Sequence, residues 1–402
     1  MMRVFTRRGR QSTVALSTSL AILCGLLLLA NGAMASPNKK PFKMNHPRPP
    51  LLANADSEDN SEPAPVRTAS KESRLDPANF VVVLVAAVVL IYAANRALRP
   101  PYVDVGGMSA DQAAEYQEAI DAGEMHLHTT ILFVIVASVA LVLIFYFMSA
   151  MSILITVLFS LIASLALGAL VYPYVDRWTD NRFSNEIEVP CLGPVPTLFF
   201  VLAPFCIVIV FGWLVTKSWV LNNILAISLI IFFLTSIRLS SLMVASALLI
   251  LAFFYDIFWV FLSSAIFGKN VMVTVATGLD VPIKILVPLF LSSGPSGEQQ
   301  FTLIGLGDIV LPGLLLCYAM RFDDAKGCNA FSTYFACTMA GYCVGLTICE
   351  VVVGSFHLAQ PAMIYLVPGT LIPFFALAAY RGELQEAWDG LKSDSHSLIP
   401  GP

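Results

Sequence analysis

The sequence predicts an all-α polytopic membrane protein of nine transmembrane helices, with one carboxylate on the sixth, one on the seventh, and a small β-hairpin in the loop between them. Three observations carry this. Only 12% of the 402 residues are charged and 57% are hydrophobic, against about 25% charged in an ordinary soluble domain. The mean hydropathy is +0.77. The apolar residues are also gathered into runs close to the ~20 residues that cross a bilayer as a helix.

The chain opens with basic "MMRVFTRRGRQ", continues through apolar "VALSTSLAILCGLLLLA" and reaches "AMA" at Ala35, with small residues where a signal peptidase reads. Residues 1–35 are therefore expected to be a cleaved secretory signal peptide. Val14 to Ala30 is almost long enough to span, so an uncleaved first helix is the alternative. Residues 36–78 are rich in Pro, Asn, Ser, Asp and Lys and hold hardly any apolar cluster, which predicts a disordered lumenal tail. Four apolar runs follow within residues 79–218: Phe80 to Leu98, Thr129 to Met148, Met151 to Tyr172 and Thr197 to Val215. Five more fill residues 219–388: Trp219 to Ile237, Leu242 to Ser264, Phe301 to Met320, Phe331 to Gly354 and Pro361 to Tyr380. Residues 389–402 are left as a tail. The second and third runs share so short a turn that an antiparallel helical hairpin is expected there.

Charge sets the expected orientation. With the mature N-terminus lumenal, the cytosolic segments carry Arg96, Arg99, Arg177, Arg182, Arg238, Arg321, Lys326, Arg381 and Lys392. The short lumenal connections carry only Lys217, Lys269 and Lys284, so the positive-inside rule favours a lumenal N-terminus and a cytosolic C-terminus. The net charge of -4 gives no basic excess for nucleic acid. The eight cysteines form no CxxC pair, which leaves neither a zinc nor a redox motif. Glu124, His126 and His128 in "EMHLH" have no strong zinc spacing, so no metal and no cofactor is expected.

Two residues resist an apolar reading. Asp256 stands inside "FFYDIFWVFL", where a charge at mid-helix costs about 2.5–3.5 kcal/mol on insertion scales. Asp308 stands in "LIGLGDIVLPG", behind Gly305 and Gly307. Adjacent spans run antiparallel; Asp256 lies eight residues before Ser264 and Asp308 seven after Phe301. At 1.5 Å per residue both come out roughly 11–12 Å below one surface. Carboxylates at one depth on neighbouring helices suit a shared-proton dyad, one acid and one base acting on a water. Taken singly, each is as well explained as an N-cap, a helix–helix hydrogen-bonding partner or an ion ligand. The glycines leave the backbone open to close approach, and Pro312 could kink the same helix. In "QPAMIYLVPGTLIPFF", Pro361 suits a first helical turn while Pro368 and Pro373 interrupt the ladder further in.

Tyr255-Asp256, Gly305-Leu306-Gly307-Asp308 and Gln360-Pro361-Ala362, in that order and with the flanking words "FGKNVMVTVAT" and "MRFD", resemble the signal peptide peptidase family of intramembrane aspartyl proteases. The similarity runs from about Trp219 to Trp388. It implies a nine-span endopeptidase of the endoplasmic reticulum or another endomembrane, acting on transmembrane peptide substrates such as signal-peptide remnants or type II segments. Asp256 and Asp308 would be its catalytic pair. Tyr255, Gly305, Leu306 and Gly307 would shape the site, with Gln360, Pro361, Ala362 and Met363 supporting it. Met363 stands where the family has Leu, a near-isosteric exchange that bears on substrate preference more than on activity. Presenilin shares two of these motifs, but the loop from Ala265 to Gln300 is too short and apolar for its large hydrophilic one, so no partner subunit is implied. A homo-oligomer is left open.

That loop holds "VMVTVAT" and "IKILVPL" around "GLDVP", which reads as strand, turn, strand. It either offers an edge to an unwound substrate or only caps the bundle. Glu350 and His357, near the end of the eighth run, read as interfacial or packing residues. Two rival functions remain. An ion-coupled transporter predicts an internal repeat with a second Asp-bearing span, which the first five runs do not contain; an inactive scaffold that binds membrane helices would keep both carboxylates.

Overall fold

The computed structural model describes residues 76–98, 124–179, 186–189, 193–268, 271, 274–275, 279, 281–293, 299–327, 334–356 and 360–390. The expected signal peptide, the lumenal tail up to residue 75, His357 and the last twelve residues lie outside them.

The helices are α1 (Pro77–Leu98), α2 (Leu127–Tyr146), α3 (Met148–Trp178), α4 (Thr197–Thr216), α5 (Trp219–Ser236), α6 (Leu242–Phe267), α7 (Leu306–Ala325), α8 (Tyr334–Phe356), α9 (Met363–Arg381) and the short α10 (Leu384–Asp389). Among the described residues, eight of these, α1–α6, α8 and α9, are long and apolar enough to cross a membrane. Their outward side chains, such as Leu132, Val208, Phe211 and Phe254, are exposed and apolar, as lipid demands. The expected seventh span is the exception. α7 carries Asp308, Arg321, Asp323 and Asp324, and nearly all of it is buried between α1, α5, α6, α8 and α9. Protein, rather than lipid, is the solvent for its charges.

Among the described residues, three two-stranded sheets accompany the bundle. β1 (Glu124–Met125) pairs in parallel with β4 (Arg238–Leu239). β2 (Glu186–Val189) and β3 (Gly193–Pro196) are antiparallel, as are β5 (Lys284–Ser293) and β6 (Gln299–Gly305). Contacts fix the helix directions. Asp76, at the start of α1, bonds Phe290 of β5, and Asn222, at the start of α5, bonds Lys284. Both helices thus start at the β5–β6 hairpin. Arg96, near the far end of α1, reaches Ala169 and Leu170 late in α3. Phe267, closing α6, meets Phe145 near the end of α2. Consecutive helices from α1 to α9 therefore alternate in direction.

Several local devices set the boundaries. Ser241 caps α6, its hydroxyl accepting from the Val244 N–H at 3.3 Å. Gly268, at φ 70°, stops the same helix, a conformation that only glycine adopts freely. At the opposite end Asp323 caps α8 from a distance, accepting from the N–H groups of Tyr334 (3.1 Å) and Phe335 (2.8 Å). Nearby, Tyr318 donates to Ala387 O at 2.8 Å and Lys326 pairs with Glu386 at 2.5 Å, which pins α10 to α7. That carboxylate also holds the Lys326 ammonium above its usual range.

Three expectations are corrected. Of the two expected hairpin strands, "IKILVPL" falls in β5 but "VMVTVAT" is not its partner: Val271, Thr274 and Val275 are helical, and Lys284–Ser293 pairs instead with Gln299–Gly305. The residues expected to open the seventh span are thus a strand, and α7 begins at Leu306, two residues before Asp308. Depth counted from Phe301 as a helix end does not hold. Finally, only Phe147 separates α2 from α3. A one-residue link cannot lay two helices side by side, so α2 packs chiefly on α6 and α3 on α4 and α5.

Candidate active site

Asp256 lies near the end of the regular part of α6, just before a π turn over Phe258–Leu262. Such turns are rare and concentrate at functional positions. Its side chain is 3% exposed, and its Oδ2 accepts the Met363 N–H at 3.2 Å. Met363 is the first residue of α9, so this bond takes one of the N–H groups that a helix start leaves unpaired.

Asp308 is the third residue of α7 and wholly buried. Pro312 lies four residues on and has no N–H, so the helical bond to the Asp308 carbonyl is never made. The Tyr342 hydroxyl on α8 supplies it, donating to Asp308 O at 3.3 Å. The carboxyl groups of Asp256 and Glu350 are both close enough to Asp308 to bear on its charge. Each aspartate thus sits at a helix N-terminus, Asp308 at its own and Asp256 at that of α9, where the peptide dipoles favour negative charge. In an apolar bundle that offsets part of the desolvation cost.

The other expected residues divide. Tyr255 is buried, packs on Trp259 with ring centroids 6.1 Å apart, and its hydroxyl has no partner among the described residues. Gly305 caps α7, and its amide lies beside the Asp308 carboxyl, short of a well-formed bond. Leu306 is wholly buried and donates its N–H to Ile283 O at 3.0 Å, tying the start of α7 to the segment before β5. Gly307 lines a small apolar cavity with Met125, Phe133 and Val310, which includes neither aspartate. Pro361 and Ala362 lead into α9, and the Met363 side chain is 2% exposed. The Gln360 side chain does not reach the aspartates; it accepts from the Tyr365 hydroxyl at 2.6 Å. His126 and His128 stack on each other at 5.9 Å, away from this site.

Two neighbours escaped the sequence reading. Glu350, read there as a packing residue, is 7% exposed and within electrostatic reach of Asp308. The signal that marked Asp256, an acid inside an apolar run, was present in "GLTICEVVVG" as well. Tyr342 carried no signal, since its role exists only because Pro312 faces it.

The family model for signal peptide peptidase matches residues 117–394. The chain belongs to the signal peptide peptidase family. The match reaches well upstream of Trp219, where the resemblance read from the sequence stopped, and adds α2 to α4. Among curated relatives, signal peptide peptidase-like 3 of Oryza sativa subsp. japonica is 36% identical over 280 residues, 68% of this chain and 54% of its own. Signal peptide peptidase-like 1 of the same species is 30% identical over 359 residues, 79% of this chain and 94% of its own. Signal peptide peptidase-like 3 of Arabidopsis thaliana is 34% identical over 282 residues, covering 67% and 51%. The chain thus spans about half the length of some family relatives and nearly all of another. No solved structure matches at comparable significance. With its apolar helices, this membership makes the chain an integral membrane protein.

Proposed function

We propose that this chain is an intramembrane aspartyl endopeptidase that hydrolyses peptide bonds within transmembrane segments, with Asp256 and Asp308 as the catalytic pair. One observation carries the proposal. Both oxygens of Asp308 and Oδ1 of Asp256 are buried without a hydrogen-bond partner among the described residues, although buried polar atoms are nearly always paired. An N-cap or a helix–helix bond would occupy those oxygens; a dyad leaves them for water and substrate.

In the reaction, one carboxylate takes a proton from water as its oxygen attacks the scissile carbonyl carbon. The other protonates the carbonyl oxygen; collapse of the tetrahedral intermediate then breaks the C–N bond, with a proton passed to the departing amine. The protons belong to the pair rather than to either residue. Tyr255 and the Gly305–Gly307 backbone border the reacting atoms, and the Gln360–Met363 segment brings the Met363 N–H to Asp256. A substrate helix hides its peptide bonds and must be locally unwound. In the β5–β6 register, Leu286 faces away from β6, so Phe301 and Leu303 on β6 turn their N–H and C=O away from β5. No described residue bonds them. A substrate strand that adds to this edge is led towards Asp308.

With α1 to α9 crossing alternately, the two ends of the bundle lie on opposite sides. The arginine distribution supports a lumenal hairpin end and a cytosolic C-terminus. The endoplasmic reticulum membrane is the proposed site, with signal-peptide remnants and type II segments as substrates. The test is cleavage of a signal-peptide-derived transmembrane peptide by purified protein beside Asp256→Ala, Asp308→Ala and Leu303→Pro. Loss of product in both Asp variants is expected, with a large fall in Leu303→Pro. Identical products from wild type and both Asp variants would overturn the assignment.

A further inference from the structure

The outer edge of β5, the side turned away from β6, is occupied at Lys284, Leu286 and Phe290 by side chains from α5 and the start of α1. The Leu286 N–H donates to Asn223 Oδ1 at 2.8 Å, and the Leu286 carbonyl accepts from Asn223 Nδ2 at 2.7 Å. One amide side chain on α5 thus makes both bonds that a neighbouring strand residue would make. Asn222 donates to Lys284 O at 2.6 Å. Two residues beyond Leu286 comes Pro288, which has no N–H to offer outward. Further along, the Phe290 N–H donates to Asp76 Oδ1 at 3.2 Å, the same oxygen that accepts from Ala78 at the start of α1. Helix side chains and a proline have replaced a third strand.

We propose that Asn222 and Asn223, with Asp76 and Pro288, make the hairpin one-sided and fix its register, so that Asn223 is a positioning residue for the scissile bond. This rests on the protease reading above. A strand edge normally accepts a new strand on either side. Here only the β6 side remains, and β6 runs directly into Gly305 and Asp308. Register passes along the same route. Asn223 holds Leu286, Leu286 lies opposite Leu303, and Lys284 lies opposite Gly305, two residues later on β6. A substrate residue paired on β6 is therefore indexed against α5, a helix that contributes no catalytic group. The device is distinct from the dyad, since it decides which bond is presented and not whether a presented bond is cut.

The experiment compares wild type, Asn223→Ala and Asn223→Asp on one transmembrane peptide, with the products mapped by mass spectrometry. Asn223→Asp keeps the acceptor for the Leu286 N–H and loses the donor to its carbonyl. Asn95→Ala is the control, because among the described residues the Asn95 side chain bonds only the Ile91 carbonyl one turn back on α1. In Asn223→Ala the share of products cut at bonds other than the principal wild-type bond should rise about 5- to 30-fold, the weight of one to two net hydrogen bonds. Asn223→Asp should show a smaller rise and Asn95→Ala none. A merely structural role lowers the yield at an unchanged bond. If both Asn223 variants cut at the wild-type bond in wild-type proportions, the proposal fails while the protease reading stands. If wild type itself yields no Asp256-dependent product, both fall together. Should Asn223→Ala not accumulate, Asn223→Asp and Asn222→Ala carry the same test.

Discussion

Replacing Tyr342 by Phe removes one oxygen atom, and the structure says what that oxygen does. It bonds the carbonyl that Pro312 leaves unpaired, on the backbone of the buried residue Asp308. At 3.3 Å the bond is long for a hydroxyl donor, which puts its net worth at the lower end, near 1 kcal/mol. Stranding a buried carbonyl raises the cost towards about 3 kcal/mol. Since 1.4 kcal/mol is tenfold in rate, peptide cleavage should fall about 5- to 140-fold if the Asp308 backbone relaxes. Thermal unfolding in detergent should come down by a few degrees. The decisive variant is Pro312→Ala. It restores an N–H four residues after Asp308, so it should recover most of the loss in the Tyr342→Phe background and change little alone. The expected coupling is about 1 kcal/mol, readable as a double-mutant cycle. Equal effects of Pro312→Ala in both backgrounds, or an unaltered Tyr342→Phe, would refute this account of how Asp308 is held.

Two further outcomes follow from packing and capping. A Cβ at Gly345 would lie 2.7 Å from Tyr365 O on the α9 backbone, whereas one at Gly212 would lie 3.6 Å from a Leu221 methyl. Gly345→Ala should therefore cost about 1–3 kcal/mol in stability and, by pushing away the helix that delivers the Met363 N–H, at least about tenfold in cleavage, while Gly212→Ala leaves both unchanged. Asp323→Ala strands two buried N–H groups at the start of α8 and should lower unfolding stability by about 2–5 kcal/mol, with Asp323→Asn near half of that.

How much of this was legible in the sequence depends on how local the cause is. Eight helices follow from apolar run length, because lipid imposes length directly, and most ends fall within a few residues of the runs, although α3 continues six residues past Tyr172 to Trp178. The β6 strand was swallowed by the run before Asp308. A short apolar stretch such as "FTLIG" does not distinguish strand from helix by periodicity. The residues of the candidate site were legible because carboxylates are rare in apolar runs. Their contacts were not. Met363 bonds Asp256 across 107 residues and Asn223 bonds Leu286 across 63, and neither pairing leaves a mark in composition or spacing.

The misplaced strand also changes how Asp308 comes to be buried. Counting in helix turns from Phe301 took Asp308 inward at about 1.5 Å per residue. The chain actually covers that stretch as β6, at about 3.3 Å per residue, and turns helical only at Leu306. The hairpin therefore does more than cap the bundle. It lets a helix begin inside the protein, with its first turn and its Asp308 buried together and the α9 N-terminus facing Asp256 nearby. A continuous helix through residues 301–308 would pair the first-turn N–H groups of α7 with its own carbonyls and remove their dipole from Asp308. It would also leave no strand edge beside the carboxylate. β6 and the first turn of α7 together thus bring in the charge and supply the field that tolerates it and, on the proposed reading, the edge on which an unwound segment lies.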